Sequence, residues 1–366
     1  MGKKNNTCIL KVENLDPLGQ GVSKGKEITF TKKVLPGEEI EVFIHKKRKG
    51  VQFAQLRKII KPSEHRITPA CSHYNSCLGC DYLHTSYENE IQFKEKSLAW
   101  YLRLLTQKKI DVYPAQERFG YRNRIQLHYN KTHLGFINQY QNEIVNVPHC
   151  LLPKTEAKTA IEKLYENQDW RKTTSKTEGH VEIYVKNGKC EMTWDKPYAN
   201  EGFSQVNNEM NEVMTNYLKQ VCDGIGASSL KTLELFAGEG NLTKKLNFKN
   251  ITMIDFYTTA KDNPQFVTMD LYQSEAAKLF KKRMKHGYEL LILDPPRAGL
   301  KNLNEWTQLT SCEHVIYVSC YPATLLRDLK ALPEEFKIEQ IALFDMFPGT
   351  QHYESLVYLK RMKKLP

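Results

Sequence analysis

The stretch Lys231–Asn241, KTLELFAGEGN, decides the fold of the C-terminal half. An apolar strand runs into Gly238, Glu239 and Gly240, where glycine lets the backbone turn sharply and approach a ligand at the strand's carboxyl end. The next residues, LTKKL (242–246), read as a helix. Thr243 stands where a nicotinamide-binding fingerprint would place its third glycine, and a lone G-x-G names no cofactor. The following strand, ITMIDF, ends in Asp255, an acid placed to accept hydrogen bonds from ribose hydroxyls. Together they fit an adenosine-containing ligand. The same texture continues through QFVTMD, LLILDPP, HVIYVSC, IALFDMF and SLVYLKR, buried strands alternating with helices. Residues 201–366 are therefore expected to form one doubly wound, Rossmann-like α/β domain.

Upstream the pattern changes. Residues 7–61 alternate apolar and polar positions in short pieces, CILKVENL, KEITF, EEIEVFIH and VQFAQLRKI, separated by turns such as DPLGQG and LPGEE. That predicts a small OB-like β-barrel over residues 1–61, a module that often holds single-stranded nucleic acid. Pro62 and Pro69 mark a linker. Residues 62–200 are expected to form a central α+β domain. Its helix YENEIQFKEKSLAWYLRLLTQ (87–107) puts Ile91, Leu98, Leu102 and Leu105 on one face. The pieces RIQLHYN, HLGFIN, NEIVNV, HVEIYVKN and CEMTW make an antiparallel sheet, with a helix near Lys154–Tyr165.

The chain carries 53 Lys and Arg against 42 Asp and Glu, a net charge of +11. Residues 1–61 hold 14 basic and 6 acidic side chains, a surplus of 8. Such a local excess attracts polyanions and points to nucleic acid or an anionic surface as partner. No apolar run approaches the roughly 18 residues of a membrane helix, and the basic start lacks a signal-peptide core. Asn6 sits where a myristoylation signal would want Ser or Thr. A cytoplasmic location is expected, without a membrane or an obligate protein partner.

Three further segments carry chemistry. In LLILDPPRAGL a buried strand ends in Asp294, and two prolines that can continue neither sheet nor helix hold that acid and Arg297 at the rim. In HVIYVSCYPATLLRDL, Cys320 follows a strand and precedes a helix opened by Pro322. A thiol at a helix start in a basic setting is expected to have a lowered pKa and to act as a nucleophile. Cys312, by contrast, reads as a core residue. In DMFPGTQHYESLVYLKR, Glu354 opens the last strand, where a carboxylate can serve as a general base.

Nine cysteines without a secretion signal argue against a disulfide framework. Cys71, Cys77 and Cys80 in CSHYNSCLGC, with Cys150 in VPHC, meet the four-thiolate requirement of zinc or an iron-sulfur cluster. Spacing does not choose between the two, and His73, His84 or His149 can replace one thiol.

ELFAGEGN, DPPR-G, SC-PAT-xxRD and DMFP-xT-xHxE occur here in the order found in one family, and the chain resembles the RNA uracil-5-methyltransferases of the kind that modify bacterial 23S ribosomal RNA. The likeness extends over FSQVNNEMN and the barrel, which looks like a TRAM domain. It implies S-adenosylmethionine-dependent methylation of carbon 5 of a uridine, in ribosomal RNA or alternatively at uridine 54 of transfer RNA. Cys320 would be the nucleophile that adds to carbon 6, Glu354 the base that removes the carbon 5 proton, and Asp294 a hydrogen-bonding partner in the pocket. Gln205, Phe236, Asn241, Asp255, Asp270 and Asp294 would contact the cofactor. Cys71, Cys77, Cys80 and Cys150 would hold a four-iron, four-sulfur cluster. The sequence departs from the family's pattern at Tyr321, where Asn is usual, and at Asp255, where Glu is common. It departs also in YTTAKDNPQF (257–266), which is too short for the customary crossover helix.

Overall fold

The computed structural model describes residues 7–138, 143–168, 170–174, 176–199, 204–256, 263–283, 287–309 and 312–362. The chain divides into two compact units that do not follow chain order. One comprises residues 1–100, 116–198 and 347–351, the other residues 101–115, 199–346 and 352–366.

The first unit opens with six strands, β1 (Thr7–Lys11), β2 (Asn14–Leu15), β3 (Gly21–Ser23), β4 (Ile28–Thr31), β5 (Glu39–Arg48) and β6 (Val51–Lys61). They form one sheet in the order β1-β5-β6-β4-β3-β2, closed over a core of Val12, Val34, Ile40, Val42 and Ala54. Helix α1 (Tyr87–Leu102) buries Leu98 and Leu102, the apolar face expected from its spacing. It stops at Leu102, five residues before the expected end.

A second sheet, absent from the sequence reading as far as its first strand goes, recruits β7 (Asp111–Tyr113) to the other unit, where it pairs in parallel with a C-terminal strand. A three-residue strand carries no periodicity to read. The remaining strands of the first unit are β8 (Arg124–Asn130), β9 (Leu134–Asn138), β10 (Glu143–Asn146), β11 (Glu178–Lys186) and β12 (Lys189–Trp194), with α2 (Thr155–Asn167) and α3 (Trp170–Thr173) between β10 and β11. Their order is β10-β9-β8-β11-β12, antiparallel throughout. Ile161 and Leu164 of α2 join Ile125, Leu127, Val181 and Ile183 in the core under it.

The second unit begins its main run with α4 (Asn208–Gly224), capped by the Asn207 side chain accepting from Met210 N at 3.1 Å. Strands β13 (Lys231–Leu235), β14 (Asn250–Asp255) and β15 (Phe266–Thr268) lead to α5 (Ala276–Arg283) and β16 (Leu290–Leu293). Then come α6 (Leu303–Leu309), β17 (His314–Ser319), α7 (Pro322–Lys330), β18 (Phe336–Phe344) and β19 (Glu354–Arg361). The sheet order is β15-β14-β13-β16-β17-β19-β18-β7. Strands β15 to β17 run parallel and β19 runs against its neighbours. Leu290–Leu293 and Val315–Val318 are wholly buried, as strands covered on both faces require.

LTKKL is not a helix. Residues 242–246 form hydrogen-bonded turns, with Lys244 N bonded to Gly240 O at 2.9 Å and Leu246 N to Thr243 O at 2.8 Å. The span before β14 is too short to offset the cost of nucleating a helix. Of YTTAKDNPQF, residues 257–262 lie outside the described residues.

Candidate active site

Register assembles the mouth of the eight-stranded sheet. Leu235 is level with Ile254 and with Leu293, so Phe236, Asp255 and Asp294 sit at adjoining carboxyl ends of three parallel strands. Ligands bind at this edge of open α/β sheets. Because β19 is antiparallel, its amino end reaches the same edge. Ser319 pairs with Ser355, so Cys320 leaves β17 just beyond the last pair and Glu354 enters β19 just before it.

The three groups feel one another. Burial pushes the Cys320 thiol up to about 12, and Glu354 and Asp294 push in the same direction against Arg297. The expected lowering of this thiol is therefore overturned: burial first, and then two carboxylates, outweigh the start of α7 and the single guanidinium. Burial raises the Asp294 carboxyl to about 7. Glu354 is held well above the usual carboxylate range by burial and by Asp294, with Arg297 opposing. Its Oε2 is buried without a hydrogen-bond partner. An uncompensated buried carboxylate costs stability and marks a functional position.

The turn carrying Arg297 is clamped to α7. Asp328 accepts from Leu300 N at 2.6 Å and from the Tyr317 hydroxyl at 2.7 Å. Arg327 Nη2 donates to Ala298 O at 2.7 Å, and Thr324 Oγ1 to Arg297 O at 3.1 Å. Gly299 has φ +68°, and a Cβ there would lie 2.3 Å from Asp328 Oδ2. Asp328 is a positioning residue that the sequence reading did not single out, although it sits in the quoted RD pair. Glu234 was missed as well. Burial raises its carboxyl to about 8 beneath Asp294 and Asp255, and the Thr243 hydroxyl donates to it.

The glycine turn faces open space at Gly238. Gly238 and Gly240 have φ of +54° and +77°, and a Cβ at Gly238 would meet nothing within 4 Å. Gly238 N donates to Asp255 Oδ2 at 2.8 Å. Phe236 takes φ +58°, a strained value for an aromatic residue, and packs on Tyr272 with ring centroids 5.6 Å apart. Asp270 accepts from Tyr272 N at 2.9 Å. Asn241 exchanges two hydrogen bonds with Asn211 of α4, at 2.9 and 3.0 Å. Gln205 is buried two residues before the α4 cap. An adenosine-bearing group fits a glycine turn, a ribose-height acid and an aromatic wall of this kind.

Cys71, Cys77, Cys80 and Cys150 belong to the first unit. Cys77 and Cys80 pack against the core cluster that contains Cys150. Gly79 N donates to Cys77 Sγ at 3.3 Å, and Lys33 Nζ to Cys77 O at 2.6 Å. After burial, the groups that raise the Cys80 thiol are Cys150, Cys77, Cys71 and the Asp81 carboxylate, in that order. The donor set suits a thiophilic metal. Among the described residues, no three His, Cys, Asp or Glu side chains already stand close enough to hold a metal ion. His84 is engaged by the Tyr74 hydroxyl at 2.6 Å. No helix among the described residues is long and apolar enough to cross a membrane.

Residues 268–362, which carry Asp294, Cys320 and Glu354, match the family model tRNA (Uracil-5-)-methyltransferase. The 23S rRNA (uracil(1939)-C(5))-methyltransferase RlmD of Vibrio campbellii is 26% identical over 96% of this chain and 95% of its own length. An uncharacterized RNA methyltransferase of Bdellovibrio bacteriovorus is 28% identical over 96% and 94%. The crystal structure of Pyrococcus abyssi tRNA (uracil-54, C5)-methyltransferase in complex with S-adenosyl-L-homocysteine superposes with a TM-score of 0.71 at 21% identity. It covers 98% of this chain and 100% of that one, which establishes a shared fold. The chain is thus similar over nearly its whole length to tRNA and rRNA uracil-5-methyltransferases, and residues 268–362 carry the part that the family model matches.

Proposed function

We propose that this chain methylates carbon 5 of a uridine in RNA, with S-adenosylmethionine as methyl donor and 23S ribosomal RNA as target. The RlmD relatives, matched end to end, support ribosomal RNA over uridine 54 of transfer RNA, the substrate named for the archaeal structure. The observation that carries the chemistry is the mutual influence of Cys320, Glu354 and Asp294 at one sheet edge, with a buried Glu354 oxygen left unpartnered.

Uracil carbon 5 is a poor nucleophile until carbon 6 bears an electron-donating adduct. Cys320 supplies it: its proton passes to Asp294, whose proton affinity lies near neutrality, and Sγ bonds to carbon 6. Bound S-adenosylmethionine supplies an electrophilic methyl group, held by Gln205, Phe236, Asn241, Asp255, Asp270 and Asp294. Glu354 then takes the carbon 5 proton, the S–C6 bond breaks, and Cys320 regains its proton from Asp294. Arg297 steadies the negative charge of both carboxylates. The base must leave its stack to expose both ring faces, so loops and unpaired uridines are the natural substrates.

The first unit has the part of an RNA-binding body: a TRAM-like barrel over residues 1–61 and a central domain whose Cys71, Cys77, Cys80 and Cys150 hold a structural four-iron, four-sulfur cluster. Protein purified without oxygen should be brown with about four irons per chain. Colourless protein with one zinc rejects the cluster and leaves the methyl-transfer chemistry untouched.

The mechanism is tested with Glu354→Gln. Replacing the base should let addition and methyl transfer proceed and stall proton removal, so a denaturant-resistant protein–RNA adduct carrying the labelled methyl group accumulates. Cys320→Ala should form none. Wild-type turnover by Glu354→Gln would remove Glu354 from the reaction.

A further inference from the structure

The barrel wears its polarity inside out along one strip. In β4 and β6 the residues facing the interior are Thr29, Thr31, Gln52 and Ala54, with Thr29 Oγ1 donating to Gln52 Oε1 at 3.3 Å. The large apolar residues between them, Phe30 and Phe53, face outward and take no part in the barrel's core. Burying threonine and glutamine while leaving two phenylalanines partly exposed costs stability, because the opposite pattern would enlarge the core. A partly exposed aromatic pair of this kind, stacked outside the core, points to a role beyond folding.

Register shows what the strip presents. Lys46 of β5 is the partner of Phe53, Phe53 the partner of Phe30, and Phe30 the partner of Val22 of β3. One cation, two rings and a β-branched residue therefore stand side by side across four strands. The rings are stacked, 5.6 Å between centroids and 26° between planes. They floor a cavity of about 200 Å³, walled by Gln20, Lys32, His45, Lys46 and Ala54. That is smaller than the roughly 300–1,000 Å³ of a site for a whole small ligand. Lys32 lies loosely toward Asp81, at 3.7 Å.

We propose that Phe30 and Phe53 form a stacking platform for one unpaired base of a single-stranded RNA segment, with Lys46 and Lys32 on the flanking phosphates. The inference rests on the reading of RNA as substrate and deepens it by naming a contact point outside the methylation pocket. An aromatic floor with cations at its rim is complementary to an unstacked nucleotide, whose base has an apolar face and whose phosphate is anionic. The surplus of 8 positive charges in residues 1–61 favours this occupant over an acidic or apolar protein segment only together with the rings. A duplex hides its base faces and would gain from the lysines alone.

The test uses the full chain and fluorescein-labelled RNA of about a dozen nucleotides, single-stranded or duplex, titrated over a range of salt. Phe30→Leu and Phe53→Leu keep apolar bulk and should each weaken single-strand binding by roughly 5- to 100-fold, with the salt slope unchanged. Phe53→Trp should restore affinity, which a merely structural role would not predict. Lys46→Ala should instead flatten the salt slope by about 0.7. Duplex binding should not respond to either ring. Folded Phe30→Leu/Phe53→Leu protein that binds single strands as wild type does overturns the platform, and leaves a protein partner as the explanation for the strip. Wild-type protein that binds no RNA at all would overturn the functional reading itself.

Discussion

Two thiol sites in this molecule are alike in one respect and opposite in another. In the pocket of the second unit, Cys320 is raised by burial and then by the carboxylates of Glu354 and Asp294. In the loop of the first unit, Cys80 is raised by burial, then by three other thiols, and least by the Asp81 carboxylate. Thiolates that repel one another are relieved together by a cation. A thiol crowded by carboxylates is relieved by passing its proton to one of them, which is acid–base chemistry. On the proposed reading, the neighbours of a cysteine, more than its burial, would separate a metal ligand from a nucleophile.

The largest effect expected from this contrast divides the two sites by kind of loss. Cys320→Ala should abolish methyl transfer in single-turnover assays while the protein stays soluble and binds RNA, because the thiol contributes a bond and little contact surface. Cys77→Ser should lower soluble yield and iron content, and the folded fraction should keep residual methyl transfer. A Cys77→Ser protein with full iron would remove Cys77 from the cluster. Equal loss of catalysis in both, at equal solubility, would erase the distinction.

A smaller effect sharpens the description of the pocket. Gly299→Ala places a Cβ against Asp328 in a left-handed conformation that alanine avoids. The turn bearing Arg297 must shift, and a displacement of about 1 Å near reacting groups costs on the order of 100-fold in rate. Pre-steady-state assays should show the fall in methyl transfer, with affinity for RNA retained. An unchanged rate would mean that the α7 clamp does not set the geometry of the pocket.

Much of this was legible in the sequence, and the exceptions are physical. The buried strands of the second unit and their order of motifs could be read because apolar runs ending in Asp255, Asp294 and Cys320 carry both the sheet and its edge. The raised thiol pKa could not be read, because the Glu354 carboxylate comes from a strand more than thirty residues later and only the β17–β19 register brings it alongside. Nothing in the segment around Glu354 marks this carboxylate as interior, and yet it is buried. Strand β7 was invisible because its three residues are ordered by β18 rather than by their own pattern. The outward phenylalanines were hidden for another reason: alternation gives the period of a strand but not which face is inside.

The smallest expected effect concerns stability, and its sign follows from Asp294. Below its ordinary value of 3.8 the carboxyl is protonated in folded and unfolded chain alike, and contributes no pH dependence. Between 3.8 and about 7 the folded chain keeps a proton that the unfolded chain gives up. Stability therefore falls as pH rises through this window, by up to about 1.4 kcal/mol per pH unit for one group. Above it, the full penalty of a buried carboxylate is present. Glu354 adds a shift of the same direction. Asp294→Asn removes this cost and should raise the melting temperature by several degrees at pH 8 and hardly at all at pH 4, while reducing methyl transfer. Calorimetry at the two pH values checks it. A gain of equal size at both would trace to packing rather than ionisation, and the carboxylate pocket would then lack the electrostatic tension that distinguishes it from the four-thiol loop.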